Sequence, residues 1–253
     1  MLIDPKKCIG CGLCLAYCPV KAISLVRGKA GIDPDRCLEC GNCIRLKVVN
    51  CPGEAIYEPA GIYETPRAIR RVLSDPTTTH SITKVPGRGT EEVKTNDVTG
   101  RVCRGEVGIA VEMGRPCLGT SMEDVEKVTT ALAPLGVTFE ECNPLTLIMA
   151  DRGKGLFDPY YRKERVASAI IEFSAEEADL EKILRVLQEV APQIHTVFSL
   201  DVIGCYDGNG VLPLKARLKA LGIAPRVNAK VNLGLGVPYV IEKEEREKRR
   251  VVR

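Results

Sequence analysis

The sequence predicts an α+β protein in two parts, a small cysteine-rich module followed by a larger domain of strands and helices. Three observations support this prediction. Eight of the twelve cysteines lie within the first 51 residues. From about residue 96 onward, β-branched runs alternate with segments that carry helix start signals. The chain has 253 residues, of which 45% are hydrophobic and 27% charged, so it is long enough to build a second core.

The eight N-terminal cysteines form two runs with the same opening pattern, C-x₂-C-x₂-C. The first run continues to Cys18-Pro19 and the second to Cys51-Pro52. Soft thiolates are the ligands that iron–sulfur cores require, and such a triplet lets three sulfurs converge on one [4Fe-4S] cube. A zinc site would leave the third cysteine of each triplet idle, and disulfides need an oxidising compartment. The pattern therefore predicts two [4Fe-4S] clusters.

The two runs are also copies of each other. Residues 3–8 match residues 32–37, and residues 18–23 match residues 51–56, with an insertion of four residues in the second copy. In this repeat and its motifs, residues 1–60 resemble the bacterial-type two-[4Fe-4S] (dicluster) ferredoxins. The resemblance implies a pseudo-symmetric pair of hairpins and helices in which each run lends its last cysteine to the other cluster. It assigns one cluster to Cys8, Cys11, Cys14 and Cys51, and the other to Cys37, Cys40, Cys43 and Cys18.

The insertion, residues 44–50, departs from the usual three-residue spacing of that family. We expect it to alter the packing over the first cluster through Cys51. Residues 61–95 are predicted to form a linker, because Thr65-Pro66, Asp75-Pro76 and a Pro-Gly loop interrupt any long element. A short basic helix is expected within it, at residues 67–73.

Residues 96–240 are predicted to form an α+β domain. Helix start signals occur at Ser121, at Ser174 and near Pro213, and a charged tail follows at residues 241–253. The order β-α-β-β-α-β, with one further αβ unit, predicts a ferredoxin-like plait of the split βαβ kind. The strands are expected at residues 107–113, 145–150, 166–173, 194–203 and 226–233.

This second domain offers no catalytic constellation, so no catalytic residue is predicted. His80 and His195 lie far apart in the sequence, and residues 207–210 are typical of a turn. The loop at residues 114–120, with Arg115 and Cys117, is the better candidate for binding a carboxylate, a phosphate or a flavin oxygen. The four other cysteines are expected to be free and buried: Cys103, Cys117, Cys142 and Cys205.

These features favour an iron–sulfur protein that relays single electrons as a subunit or partner of an anaerobic oxidoreductase. Two alternatives remain open: a reductase whose second domain binds flavin or substrate, and a redox or metabolite sensor. Aromatic residues make up only 4% of the chain and two clusters would offset the net charge of +3, so nucleic-acid binding is not expected.

No apolar run approaches the roughly 20 residues of a membrane span, and no signal peptide precedes Cys8, so a cytoplasmic location is expected. The expected partner is a redox protein or a large oxidoreductase subunit. A second copy of the chain could also bind through a polar face of the last strand, which carries Arg226, Asn228, Lys230 and Asn232.

Overall fold

The computed structural model describes residues 1–45, 49–79, 101–114 and 119–224. Among its described residues, the cysteine-rich part contains four short strands: β1 (Leu2–Ile3), β2 (Ile23–Val26), β3 (Lys29–Ile32) and β4 (Ile56–Tyr57). Strands β2 and β3 form a hairpin, and β1 pairs antiparallel with β4. Small buried side chains, such as Ala22, Ala30 and Ala55, let the backbone pack closely against the cysteines.

Helix α1 (Ala68–Ser74) follows a single 3₁₀ turn at Ile62–Glu64. It corresponds to the short basic helix expected from the sequence. Its apolar face, Ile69 and Leu73, is buried in the core of the second part of the chain. The Ser74 hydroxyl also accepts a hydrogen bond from the Ala167 amide, at 2.8 Å. Helix α1 therefore packs onto the α+β part of the molecule.

The second part contains eight strands and four helices among the described residues. The strands are β5 (Glu106–Met113), β6 (Thr120–Ser121), β7 (Thr138–Phe139), β8 (Met149–Asp151), β9 (Leu156–Phe157), β10 (Arg165–Val166), β11 (Ala169–Glu176) and β12 (Phe198–Gly204). The helices are α2 (Met122–Leu132), α3 (Pro144–Leu147), α4 (Leu180–Val190) and α5 (Pro213–Ala220).

Four strands form one antiparallel sheet in the order β12-β5-β11-β7. Helices α2 and α4 contact each other, and their apolar residues share one core with alternate residues of the sheet. The side chains of this core belong to β5 (Val107, Ile109, Val111, Met113), β11 (Ala169, Ile171, Phe173), α2 (Val125, Val128, Leu132) and α4 (Ile183, Leu187). In a strand every second side chain points to the same face, and in a helix about every 3.6 residues return to the same face. The apolar residues occur at these intervals because those faces point into the shared core.

Helix α2 begins as the sequence predicts, because the Ser121 hydroxyl accepts a hydrogen bond from the Asp124 amide, at 3.1 Å. The start signal assigned to Ser174 is wrong. Ser174 lies inside β11, paired with Gly108 and Thr138, and the next helix begins at Leu180 after a 3₁₀ turn. Strand β11 extends past Ser174 because its pairing with β5 and β7 stabilises the strand more than a helix cap at Ser174 would stabilise a helix.

The predicted strand at residues 145–150 is also wrong over its first half. Asn143 caps helix α3 by accepting a hydrogen bond from the Leu145 amide, at 2.8 Å, and a strand begins only at Met149. The predicted strand at residues 166–173 is broken, since β10 pairs with β6 while β11 joins the main sheet. Strand β12 starts at Phe198, four residues later than expected. The predicted strand at 226–233 and the charged tail lie outside the described residues.

No helix within the described residues is long and apolar enough to cross a membrane.

Candidate metal centres

The first group of thiols lines a cavity between the loop after β1 and the β2–β3 hairpin. Its cysteines are Cys8, Cys11, Cys14 and Cys51. Gly10 and Gly12 have positive φ angles near +74°, which lets the loop turn around the cavity. Any side chain at Gly10 would overlap the carbonyl oxygen of Gly28 in the hairpin turn. The loop and the hairpin are therefore in direct contact, and glycine is required where they meet.

The second group of thiols lines a second cavity, which contains Cys18, Cys37, Cys40 and Cys43. Gly41 has a φ angle of +75° and leaves room for the guanidinium of Arg45. Arg45 in turn donates to the carbonyl of Glu39, at 3.1 Å. Each cavity is thus lined by three cysteines of one run and the last cysteine of the other.

The two cavities have the same size, about 340 Å³ of empty space each when counted to the open surface. Among the described residues, no three acidic, histidine or cysteine side chains come together as the ligands of a single metal ion. The thiols of each group surround a space, as a cube of iron and sulfide requires. Four thiols around such a space are the donor set that a [4Fe-4S] cluster takes, so the residues fit this cofactor.

Backbone amides approach three of the cysteine sulfurs. The Ala22 amide donates to Cys18 Sγ at 3.1 Å, the Ala55 amide to Cys51 Sγ at 3.4 Å, and the Ala30 amide to Cys8 Sγ at 3.3 Å. Hydrogen bonds to thiolate sulfurs spread their negative charge and are one of the ways in which a protein sets a cluster's reduction potential. The first two bonds are related by the internal repeat, since residues 18–23 match residues 51–56.

The thiols of the first group differ from one another in their electrostatic surroundings, since burial raises the pKa of Cys14. Hydrogen bonds from the Ala30 and Gly10 amides lower the pKa of Cys8. Burial raises the pKa of Cys37 and Cys40, and it raises the pKa of Cys43 to about 12. Without a metal these buried thiols hold their protons at neutral pH. These residues would hold a cluster as thiolates, so its binding would release their protons.

Helix α1 joins the second group of thiols to the α+β part. The buried guanidinium of Arg70 donates to the carbonyl of Cys37, at 2.7 Å, and to that of Pro34, at 2.9 Å. It also forms an ion pair with the buried carboxylate of Glu164, in the loop before β10. The Arg70 side chain thereby connects a cysteine loop to Glu164, which follows Arg70 by 94 positions in the chain.

A second ion-pair group lies beside the same loop. The buried carboxylate of Glu39 contacts Arg67 of the turn before α1 and the amino group of Met1. Burial opposes ionisation of Glu39, but the hydrogen bonds and positive charges of these two partners keep its pKa below the ordinary value. The sequence indicated a basic helix here but did not single out Arg70, Glu39 or Glu164.

The candidates from the second domain do not come together. His195 is exposed, and its amide donates to the Asp124 carboxylate at 3.1 Å. Residues 207–210 form a turn closed by the Asp207 carboxylate, which accepts from the Asn209 and Val211 amides. His80 and most of the loop at 114–120, with Arg115 and Cys117, lie outside the described residues.

The remaining cysteines follow the prediction only in part. Cys103 is fully buried and Cys205 is half-buried. Cys142 is exposed, contrary to expectation, because it lies in the turn between β7 and α3, where its amide donates to the Glu140 carboxylate at 3.0 Å.

Residues 1–66 match the family of 4Fe-4S dicluster domains. No curated protein and no solved structure matches the chain. The family match covers the two cysteine runs, which line the two cavities. This part of the chain is thus a dicluster ferredoxin segment that binds two [4Fe-4S] clusters and serves iron–sulfur electron transfer.

Proposed function

We propose that this protein relays single electrons through two [4Fe-4S] clusters, as a subunit or partner of an oxidoreductase. The observation that carries the proposal is the pair of equal cavities, each lined by four thiols. When bound, a [4Fe-4S] cluster accepts and releases one electron at a time. The polypeptide supplies the thiolate ligands, the amide donors to their sulfurs and an apolar lining that keeps water away.

We assign one cluster to Cys8, Cys11, Cys14 and Cys51, and the other to Cys37, Cys40, Cys43 and Cys18. The lining of the two cavities supports this exchange of ligands between the runs. So does the position of Pro19 and Pro52, each directly after the cysteine that crosses to the other cavity. A proline at this point fixes the direction of the chain as it leaves the ligand.

We further propose that residues 96–240 form a ferredoxin-like plait, joined to the dicluster segment by residues 61–95 and followed by a charged tail at 241–253. Renumbered within this domain, the strands β5, β7, β11 and β12 are 1 to 4, and the sheet order is 4-1-3-2. Helix α2 follows the first of them and α4 the third, which supports a split βαβ arrangement. In this proposal the domain covers one cluster and docks the relay onto its oxidoreductase, in the reducing cytoplasm of an anaerobic cell.

Iron and sulfide analysis provides the first test. Protein reconstituted without oxygen should bind about eight iron and eight sulfide atoms per chain, because two cubes carry four of each. The same analysis on a Cys142→Ala variant is the control, since this exposed cysteine belongs to neither run. About four irons per chain, or stoichiometric zinc in protein reconstituted with excess iron, would contradict the proposal.

The crossing of ligands is tested by comparing single cysteine variants. We expect Cys18→Ala to damage the same cluster as Cys37→Ala, and Cys51→Ala to damage the same cluster as Cys8→Ala. Electron paramagnetic resonance of the reduced proteins distinguishes the two clusters and shows which signal each variant loses. If the spectrum of Cys18→Ala resembles that of Cys8→Ala, each run binds its own cluster and the assignment is wrong.

A further inference from the structure

The internal repeat makes the two halves of the dicluster segment comparable position by position, and one pair of positions differs sharply. Ile9 and Leu38 both follow the first cysteine of their runs. Leu38 is only 3% exposed, whereas Ile9 is 65% exposed. A Cβ atom at Gly119 would lie 3.5 Å from the Leu38 methyl group, so Leu38 packs against the α+β part of the chain. Within the part of the chain that the structure describes, the corresponding side of the first half is open.

The open side carries four exposed apolar side chains, which we call the Ile9 surface: Ile9, Leu13, Leu25 and Val26, each exposed by 45% or more. The contact of Gly10 with the hairpin turn at Gly28 places the loop that carries Ile9 and Leu13 against the hairpin that carries Leu25 and Val26. Leu25 also lies 3.9 Å from the position of a Cβ atom at Gly12. Cys11, a proposed ligand, is exposed at the same place. An apolar patch at the most accessible cluster is typical of a surface that meets another protein.

The charges around the Ile9 surface have one predominant sign. In residues 3–14, 25–30 and 49–56, which include the lining of the first cavity, the exposed charged side chains are four cations and one anion: Lys6, Lys7, Arg27, Lys29 and Glu54. The only other charged residue in these segments is Asp4, which is half-buried and accepts a hydrogen bond from the Lys6 amide. A partner with an acidic rim is therefore attracted to this side and oriented by it.

We propose that the Ile9 surface is the docking site for an acidic one-electron carrier protein, and that electrons enter or leave through the cluster held by Cys8, Cys11, Cys14 and Cys51. In each encounter one electron passes between protein and carrier, so that one is oxidised as the other is reduced and no covalent bond changes. The cluster behind Leu38 then serves the inner side, beneath the α+β part. This inference rests on the relay proposed above.

The test follows electron transfer from the reduced, cluster-loaded protein to two probes of opposite charge. The probes are an acidic flavodoxin and the basic protein cytochrome c, mixed in a stopped-flow instrument at low and high salt. The variant Lys6→Glu/Arg27→Glu reverses two exposed charges beside the Ile9 surface without replacing a neighbour of a cysteine. The matched control is Lys182→Glu/Arg185→Glu, which makes the same change in charge on exposed positions of α4.

We expect the first variant to slow the reaction with flavodoxin about tenfold or more at low salt and to speed the reaction with cytochrome c. The differences should shrink at high salt, where charges are screened. The apolar contact is tested at high salt, where Val26→Ser should weaken flavodoxin binding several-fold and Val211→Ser, an equally exposed valine of the α+β part, should not.

Two results would overturn the inference in different ways. If the wild-type protein reduces flavodoxin but both charge variants react at the same rate as it does, the docking site is wrong and the relay stands. If the loaded, reduced wild-type protein transfers electrons to neither probe, the relay itself fails, and the docking site fails with it.

Discussion

Removal of the Arg70 guanidinium should destabilise the protein more than removal of any exposed arginine. Arg70→Met leaves the Glu164 carboxylate buried without its partner, and it removes the donor to the Cys37 carbonyl. Breaking a buried ion pair from one side costs about 3–5 kcal/mol. The lost bond to Pro34 adds little, because Pro34 is exposed and water can replace the guanidinium there.

Unfolding by urea, followed by far-ultraviolet circular dichroism on the iron-loaded protein without oxygen, measures this loss. The matched control is Arg185→Met, which breaks an Arg–Glu pair on the surface of α4 with both partners exposed. That change should cost only about 0.3–0.5 kcal/mol. The double variant Arg70→Met/Glu164→Leu should recover much of the loss, because it leaves no unpaired buried charge.

A second measurement separates a local effect from general destabilisation. Because Arg70 holds the loop that carries Cys37, we expect Arg70→Met to release the second cluster before the first during mild chelation of iron. Electron paramagnetic resonance follows the two signals separately. Equal stability of Arg70→Met and Arg185→Met, or equal loss of both clusters, would refute the role assigned to Arg70.

Two further predictions concern the α+β part. Gly155→Ala should destabilise it by more than Gly136→Ala, although both glycines have φ near +70°, because a methyl group at 155 would overlap the carbonyl of Thr129 while the space around 136 is open. Thermal unfolding of the two variants measures the difference, and about 1–2 kcal/mol is expected for the unhindered site. Burial opposes ionisation of Asp124, but hydrogen bonds from Lys127 and the His195 amide keep its pKa below the ordinary value. The stabilising contribution of the Asp124 carboxylate to the folded state is thus complete above about pH 4, and it is lost as the pH falls through the lowered pKa. Asp124→Asn should therefore lower the free energy of unfolding at neutral pH and make that free energy less dependent on pH in acid.

The elements that the sequence predicts well are those whose signals are local. Helix α2 has a capping serine at Ser121, and α5 begins at Pro213, so a few neighbouring residues determine each start. The apolar run at 145–150 has the ambiguity of any short hydrophobic segment. The start of this run is helical because Asn143 caps α3 and is itself held in place: its side-chain amide donates to the Glu172 carboxylate on β11, at 2.6 Å. That contact joins residues 29 positions apart and is invisible to a local pattern.

The same distinction between local signals and long-range contacts applies to the metal centres. Ligand cysteines follow a spacing rule, so their chemistry can be inferred from the sequence. The residues that distinguish the two clusters obey no spacing rule. Arg70 meets its carboxylate partner only because α1 packs beside β10, and Leu38 is buried only because the α+β part lies over it. A repeat predicts two equivalent sites, whereas the remainder of the fold determines which of them is covered.

The insertion at residues 44–50, which departs from the ferredoxin pattern, affects the half of the dicluster segment that Leu38 joins to the α+β part. Arg45 lies at the start of the inserted segment and forms ion pairs with Asp75, at 2.7 Å, and with Glu58, at 3.3 Å. Asp75 directly follows α1, and Arg71 of that helix contacts the same two carboxylates. Arg45 therefore connects the second cysteine run to α1, the helix that carries Arg70. The first run has no counterpart of this insertion, so the two ion pairs of Arg45 add to the asymmetry between the covered second half and the Ile9 surface.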